Sequence, residues 1–265
     1  MAKKIGIIGG MGPAAACDFY DKILKLTPAK CDQEHIHVVM DSNTNIPDRT
    51  DYIMDAEKQK MLDGKSPTPG GSPIICDLLE QHEINNPPAK DFLPEIIKSA
   101  QMLESIGCDS ISMPCVTAHY FENEIAASVN IKFISITTSV VDALVERRVE
   151  TSAILCTNGS LCGKIFCKAF DGAGIRPVFT NFEEQKTVMD LIYKYVKFGN
   201  YNEIEKDRKK VEDMLFRLKD LGAQAFVLGC TETPIAFKLL GISGEEFIDS
   251  TFELARKTVK FALGE

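Results

Sequence analysis

The 265-residue sequence lacks any apolar run that approaches the ~20 residues of a membrane-spanning helix. Its first apolar stretch is broken at once by glycines, which is unlike a secretion signal. Cys-x-x-Cys pairs are also missing, and the spacing of Cys156, Cys162 and Cys167 suits no common zinc site. We therefore expect a cytoplasmic protein that holds no metal and whose nine cysteines are free thiols.

Positive charge is scarce as well. The 30 Lys and Arg residues against 38 Asp and Glu residues leave a net charge of −8. This balance argues against nucleic acid or an anionic membrane surface as a partner. Low-complexity segments and obvious flexible linkers are absent, and a chain with 45% hydrophobic residues can bury a sizeable core. We expect two halves that pack against one another.

Two stretches of the chain share one spacing. In each, a leucine lies four residues before a glycine, and a cysteine lies eight residues after that glycine. The residues are Leu103, Gly107 and Cys115 in the first stretch and Leu218, Gly222 and Cys230 in the second. The pattern predicts a helix end, a glycine cap, a short apolar strand and a cysteine in the following turn. Two equivalent cysteines indicate a site with two facing thiols.

The first residues are typical of an α/β fold, because a short apolar strand leads into the glycine-rich turn 9–13 and then a helix. The turn formally matches the dinucleotide fingerprint. However, the acidic residue of that pattern, Asp41, lies 29 residues after Gly12, where about 20 is usual. Nothing downstream resembles nicotinamide chemistry, so we interpret the turn as the lining of a small-molecule site.

A polar loop over residues 41–50 follows the second predicted strand, and Pro47 with Asp48 predicts a helix start. Arg49 lies just past the carboxyl end of that strand, where open α/β sheets bind ligands. It is a candidate anion ligand, although a lone loop arginine is usually solvated.

The first half is longer than the second. Gly10 and Cys115 are 105 residues apart, whereas Thr157, the expected counterpart of the glycine turn, and Cys230 are 73 apart. The irregular stretch at about 60–92 accounts for the difference. We interpret it as an insertion that serves as a lid.

Each cysteine follows a predicted strand and precedes a helix start, where backbone N–H groups and the helix dipole favour thiolate. Such a site suits removal of a proton from carbon next to a carboxylate. With one thiol on each face of that carbon, one takes the proton and the other returns one, which inverts the centre. The alternatives are a single nucleophilic cysteine and two buried structural cysteines.

Several motifs occur in order along nearly the whole chain: Gly9-Gly10-Met11-Gly12-Pro13, Ser42-Asn43 with Ile46-Pro47-Asp48-Arg49-Thr50, Pro114-Cys115 with Thr117-Ala118-His119, Glu184-Gln185-Lys186, and Gly229-Cys230-Thr231-Glu232. With them the chain resembles the cofactor-independent aspartate/glutamate racemase superfamily, and within it the aspartate racemase or broad-specificity amino-acid racemase branch. The resemblance implies an α/β fold of two pseudo-symmetric domains, each a mostly parallel sheet flanked by helices, with the active site in the cleft between them. We place the first domain at 1–131 plus 244–265 and the second at 132–243.

The resemblance also implies the activity, which is interconversion of L- and D-aspartate, or glutamate, by thiol/thiolate proton transfer at Cα. It implies no pyridoxal phosphate or other cofactor, an acidic amino acid as the partner, and a homodimer. Cys115 and Cys230 would be the acid/base pair, and Arg49 and Lys186 would hold the side-chain carboxylate. The other expected substrate-binding residues are Met11, Asn43, Val116, Thr117 and Thr231. For Glu232 we expect charge compensation at a helix N-terminus.

Two departures from the family pattern put the substrate in doubt. Val116 stands where the family motif has Asn, which removes a polar contact to the substrate head group. The insertion at about 60–92 is the second departure. Other possibilities are a relative that uses one cysteine as nucleophile, maleate isomerase-like or decarboxylase-like, and a non-catalytic binder of acidic amino acids.

Overall fold

The computed structural model describes residues 2–65 and 73–265, which form two four-stranded parallel sheets. The first sheet contains β1 (Ile5–Gly9), β2 (Val38–Ser42), β3 (Ser110–Ser112) and β4 (Lys132–Ile134). The second contains β5 (Thr151–Leu155), β6 (Arg176–Val178), β7 (Ala225–Leu228) and β8 (Phe247–Asp249). The strand orders, β2-β1-β3-β4 and β6-β5-β7-β8, are equivalent. The predicted α/β fold with two pseudo-symmetric halves is confirmed.

Helices pack around both sheets. They are α1 (Pro13–Leu26), α2 (Arg49–Leu62), α3 (Pro73–Gln81), α4 (Leu93–Ser105), α5 (Glu122–Ala127), α6 (Ile136–Glu146), α7 (Asn158–Cys162), α8 (Ile165–Ala173), α9 (Phe182–Met189), α10 (Arg208–Asp220), α11 (Thr233–Leu239) and α12 (Ser250–Leu263). There are also 3₁₀ turns at Asp32–Glu34, Thr117–Phe121 and Tyr201–Asp207 and a π-helix at Asp190–Lys197. In residues 2–65 and 73–265, no helix has the length and apolar character to cross a membrane.

The central strands are buried because helices cover both faces of a parallel sheet. Every residue of β1 and β5 is buried. One large apolar cluster includes Ile5 of the first sheet and Val227 of the second. The two halves are therefore packed against each other, as expected.

The expected domain limits misplace two strands. They assign β4 to the second domain and β8 to the first. Hydrogen bonds instead place β4 beside β3 and β8 beside β7, in keeping with the tendency of successive strands to pair. The C-terminal helix α12 does pack against α1 of the first half, and it also contacts α6.

Three helical segments of the second half are irregular. Residues 181–197 hold α9 followed by the π-helix, and a short break separates α7 from α8. The segment before α10 is a 3₁₀ turn, Tyr201–Asp207, and α10 begins at Arg208.

The predicted insertion is only partly visible, since residues 66–72 lie outside the described residues. The part that follows forms α3, which packs against α2, α7 and α9. The next loop is docked on α2, where the buried Asp55 carboxylate lies 2.8 Å from His82 Nε2 and accepts from the backbone N–H groups of Asn85 and Ala89. A lid function for this segment stays a prediction.

The glycines of the two repeated stretches have the backbone conformation that the repeat predicts. Gly107 and Gly222 both have positive φ, 80° and 95°, as expected for helix caps. Gly10 in the first turn has φ 90° and, in addition, a Cβ there would overlap the backbone of Asn43.

We expect Gly107→Ala to cost about 1–2 kcal/mol of stability, because open space surrounds this position and only the left-handed backbone is unfavourable. Gly10→Ala should cost clearly more, because the two loops must also separate. Urea unfolding of both variants measures the difference. Equal losses would show that the approach of Gly10 to Asn43 is not tight.

Candidate active site

The two cysteines of the repeated stretches occupy equivalent places. Cys115 follows β3 and Cys230 follows β7, which hold the same position in their sheets. Both side chains are buried, with 4% and 5% of their surface exposed. They lie at the carboxyl ends of parallel strands, where open α/β sheets bind ligands.

Arg49 is a buried cation beside Cys115. It is the first residue of α2 and donates to the carbonyl oxygens of Met11 at 3.0 Å and Pro47 at 2.9 Å. Burial by itself lowers the pKa of the guanidinium, but the negative charges of Cys115 and Asp48 outweigh it and raise this pKa. Within residues 2–65 and 73–265, Arg49 Nε has no hydrogen-bond partner. A buried guanidinium with a free donor suits a carboxylate ligand.

Cys230 has a very different neighbour. Its thiol donates to Glu232 Oε2 at 3.0 Å, and the Thr231 hydroxyl donates to the same oxygen at 3.1 Å. Burial raises the pKa of Cys230 well above its ordinary value, and the Glu232 carboxylate raises it further, whereas Lys197 lowers it. The expected thiolate is therefore wrong for Cys230. The backbone N–H of Glu232 does favour the thiolate, but desolvation and the carboxylate prevail.

Glu232 is consequently more than a helix-terminal charge. It is 2% exposed, and its Oε1 lies 3.5 Å from Lys197 Nζ. A Cβ at Gly12 would lie 3.2 Å from the same oxygen, so the first glycine turn lies directly against this carboxylate. The two halves thus meet at Glu232.

Lys197 is a site residue that the sequence did not reveal. Burial by itself lowers its pKa, but Glu232, Cys230 and Cys115 together raise it, while Arg49 acts in the opposite direction. Its contact with Glu232, which accepts from the Cys230 thiol, places the ammonium group in this site. No sequence motif contains Lys197, although it lies one helical turn after Tyr193, whose hydroxyl group also reaches the site.

Hydroxyl groups join the halves around this site. Tyr193 donates to Thr50 Oγ1 at 3.0 Å, immediately after Arg49. Thr117 Oγ1 lies 3.0 Å from Thr157 Oγ1 and 2.9 Å from Ser160 Oγ. Thr117 therefore already has two hydroxyl neighbours from the second half.

Lys186 is not among these residues. Its side chain is 57% exposed, pairs with Glu183 at 2.8 Å and lies over the ring of Phe182. Its neighbour Gln185 is the buried one and donates to the carbonyl of Cys156. The prediction that Lys186 holds a substrate carboxylate is at odds with this surface position, whereas Lys197 does lie in the site, against Glu232.

The other predicted binding residues lie around the site in different ways. Met11 contributes its carbonyl to Arg49. The Asn43 side chain donates to Ser99 and accepts from the backbone of Asn45, which shapes its own loop. Val116 is buried in the large apolar cluster, where a valine supplies packing.

His119 holds the turn that carries Cys115. The backbone N–H of Ile136 can only donate, so His119 Nε2, 3.1 Å away, accepts. Nδ1 then carries the proton and donates to the carbonyl of Cys115 at 2.9 Å. Burial lowers the pKa of His119 and keeps it neutral. Both ring nitrogens are engaged, so His119 positions Cys115.

Comparisons with known proteins identify similar sequences and folds. The profile of the Asp/Glu/Hydantoin racemase family matches residues 70–258. The chain is 25% identical over 192 residues to the broad specificity amino-acid racemase RacX of Bacillus subtilis (strain 168), an alignment that covers 71% of this chain and 69% of that protein.

Solved structures share the whole fold. The aspartate racemase of Picrophilus torridus superimposes with a TM-score of 0.71 at 26% identity, covering 99% of this chain and 94% of that one. An aspartate racemase homologue from Pyrococcus horikoshii gives 0.68 at 23% identity, with 98% and 99% covered. Glutamate racemase from Francisella tularensis, in complex with D-glutamate, gives 0.60 at 15% identity, with 99% and 82% covered. The latter two likenesses concern the fold alone.

The Cys230–Glu232 contact predicts a change in thiol reactivity. Glu232→Gln removes a negative charge that opposes the thiolate, so the pKa of Cys230 should fall. Each unit of that fall raises the thiolate fraction about tenfold at a pH below the pKa. Iodoacetamide labelling between pH 7 and 10, followed by mass spectrometry of the Cys230 peptide, measures it.

Glu183→Gln is the matched control, because that side chain is 79% exposed and faces Lys186. It should leave Cys230 labelling unchanged. Slower labelling of Cys230 in Glu232→Gln would contradict the assigned role of the carboxylate.

Proposed function

Because the chain belongs to the Asp/Glu/Hydantoin racemase family, and so to a class of isomerases, we propose that it interconverts L- and D-aspartate by two-base proton transfer between Cys115 and Cys230. Glutamate is the alternative substrate. The observation that carries the proposal is that the Cys230 thiol donates to Glu232, whose carboxylate lies against Gly12 in the turn that holds Arg49 through the carbonyl of Met11. Cys115 lies beside that Arg49, so the proposal has thiols from the two halves flank a single charged site.

The cysteines take different roles in the first step. Cys230 is held as a thiol by burial and by Glu232, so it is the proton donor. Cys115, beside the Arg49 guanidinium, is the base and removes the Cα proton. The electron pair delocalises into the α-carboxylate, and Cys230 delivers its proton to the opposite face. The product has the inverted centre, with Cys115 now a thiol and Cys230 a thiolate, ready for the reverse reaction.

Two cations, the buried Arg49 and the partly exposed Lys197, support a substrate with two carboxylates. Among the described residues, Arg49 Nε has no hydrogen-bond partner, and Lys197 has one carboxylate neighbour, Glu232, at 3.5 Å. Each cation can donate to one of the two carboxylates of an acidic amino acid. An apolar amino acid would bring only one carboxylate.

Val116 bears on the choice of substrate. Its apolar side chain is buried in the core cluster, so the head group of the substrate depends on hydroxyl groups such as Thr117 and Thr231. We propose that this lack of one amide contact reduces affinity rather than removing turnover.

Chiral chromatography of L- or D-aspartate incubated with the protein tests the proposal. We expect racemisation from either enantiomer. The rate of racemisation should fall at least about a hundredfold in Cys115→Ala and in Cys230→Ala, since each substitution removes one general acid or base. Cys17→Ala, at an exposed cysteine, should be fully active. If only one of the two variants lost racemase activity, the single-nucleophile alternative would be favoured. If the wild-type protein inverted no acidic amino acid, the proposal would be overturned.

A second experiment separates the two lysines. Lys197→Met should raise KM for aspartate about ten- to a hundredfold, as expected when a charged hydrogen bond is lost. Lys186→Met should leave KM unchanged because that ammonium group lies on the surface. The reverse result would restore the original assignment of Lys186.

A further inference from the structure

The residues that bring Lys197 into the site belong to an uncommon helix. Residues Asp190–Lys197 are π-helical, and Phe198 N–H donates to the Tyr193 carbonyl, five residues earlier, at 2.9 Å. Such segments are rare and often accompany functional sites. Here the segment continues α9 and packs against α11, the helix that follows Cys230.

The hydrogen-bond register of this segment decides where Lys197 points. A change of one residue in the register of a helix rotates all later side chains by about 100°. Burial of the apolar side chains of Leu191, Ile192 and Val196 determines which face of the segment packs against the core. The hydrophobic effect is non-directional, however, so this burial alone does not hold one hydrogen-bond register. A directional contact is needed to hold one register.

Tyr195 provides that contact. It is fully buried, and its hydroxyl donates to Asp207 Oδ2 at 2.5 Å. Asp207 is itself 5% exposed, and its other oxygen lies 2.7 Å from Lys210 Nζ. Hydrogen bonds to a carboxylate are the strong ones in proteins. Nearby, Asn200 donates to the Lys194 carbonyl and satisfies one acceptor at the end of the helix.

We propose that Tyr195 and Asp207 are a positioning pair, which holds the π-helix in the register that places Lys197 against Glu232 and beside Cys230. The pair touches neither substrate nor thiol and acts through Lys197. The inference rests on the proposed function for its catalytic meaning, but the geometry can be tested without turnover.

The closing experiment measures Cys230 itself. Lys197 favours the Cys230 thiolate, so displacement of Lys197 should slow alkylation of Cys230 by iodoacetamide at fixed pH. We expect Tyr195→Phe and Lys197→Met each to slow it about three- to tenfold. In the double variant, the effect should be no larger than in Lys197→Met alone, because both changes remove the same interaction.

Tyr120→Phe is the matched control. Tyr120 also donates its hydroxyl to a buried carboxylate, Glu57, at 2.8 Å, but it lies outside the π-helix. Tyr120→Phe should lower the thermal midpoint about as much as Tyr195→Phe does and leave the rate of Cys230 alkylation unchanged. Asp207→Ser breaks the pair from the other side, so it should reproduce Tyr195→Phe and serves as the test if Tyr195→Phe does not fold.

If the wild-type protein racemises aspartate, Tyr195→Phe should also raise KM for aspartate, and this change should be several-fold larger than the change in kcat. Unchanged Cys230 alkylation in Tyr195→Phe, or effects of Tyr195→Phe and Lys197→Met that multiply, would overturn the positioning role. Absence of racemisation in the wild type would overturn the proposed function, while the alkylation result would still decide the positioning role.

Discussion

The buried Glu232 carboxylate is the charge on which this site depends. A carboxylate taken out of water must be paired and hydrogen-bonded, or the folded state loses stability. Here the Cys230 thiol, the Thr231 hydroxyl and the Lys197 ammonium provide those partners. Cys230 and Thr231 belong to the turn between β7 and α11, and Lys197 belongs to the π-helix. Satisfying this one group therefore ties the π-helix to the turn of the second cysteine, against which the first glycine turn lies.

The same group makes a symmetric fold chemically asymmetric. The two sheets have equivalent strand orders, and the cysteines follow equivalent strands. Their neighbours differ: Cys115 lies beside a guanidinium, and Cys230 donates to a carboxylate. A two-base site needs one proton-loaded and one proton-accepting group at the start of each turnover, and unequal neighbours supply that difference without any change of backbone.

The features that could be predicted from the sequence are those that a local residue pattern determines. The repeated leucine, glycine and cysteine spacing located both active-site turns, because caps and strand ends are local features. It did not distinguish Lys186 from Lys197, eleven residues apart, because the exposure of one and the contact of the other with Glu232 follow from how α9 and the π-helix pack, which no local pattern shows. Glu232 lies at the start of α11, as its motif position suggested. Its ion pair with Lys197, 35 residues earlier in the chain, follows from packing that the motif does not show. Val116 looked like a lost ligand and is a core residue, which one sequence alone does not distinguish.

In the proposed mechanism two thiols act on opposite faces of one carbon, and the fate of the α-proton tests this mechanism most directly. L-aspartate is incubated with the protein in D₂O, and early samples are separated into enantiomers and examined by mass spectrometry. Two bases predict that newly formed D-aspartate carries deuterium while the remaining L-aspartate is still unlabelled, because the proton returned comes from the second thiol. Unlabelled D-aspartate, or label that enters both enantiomers equally from the start, would show that a single group removes and returns the proton and would contradict the account.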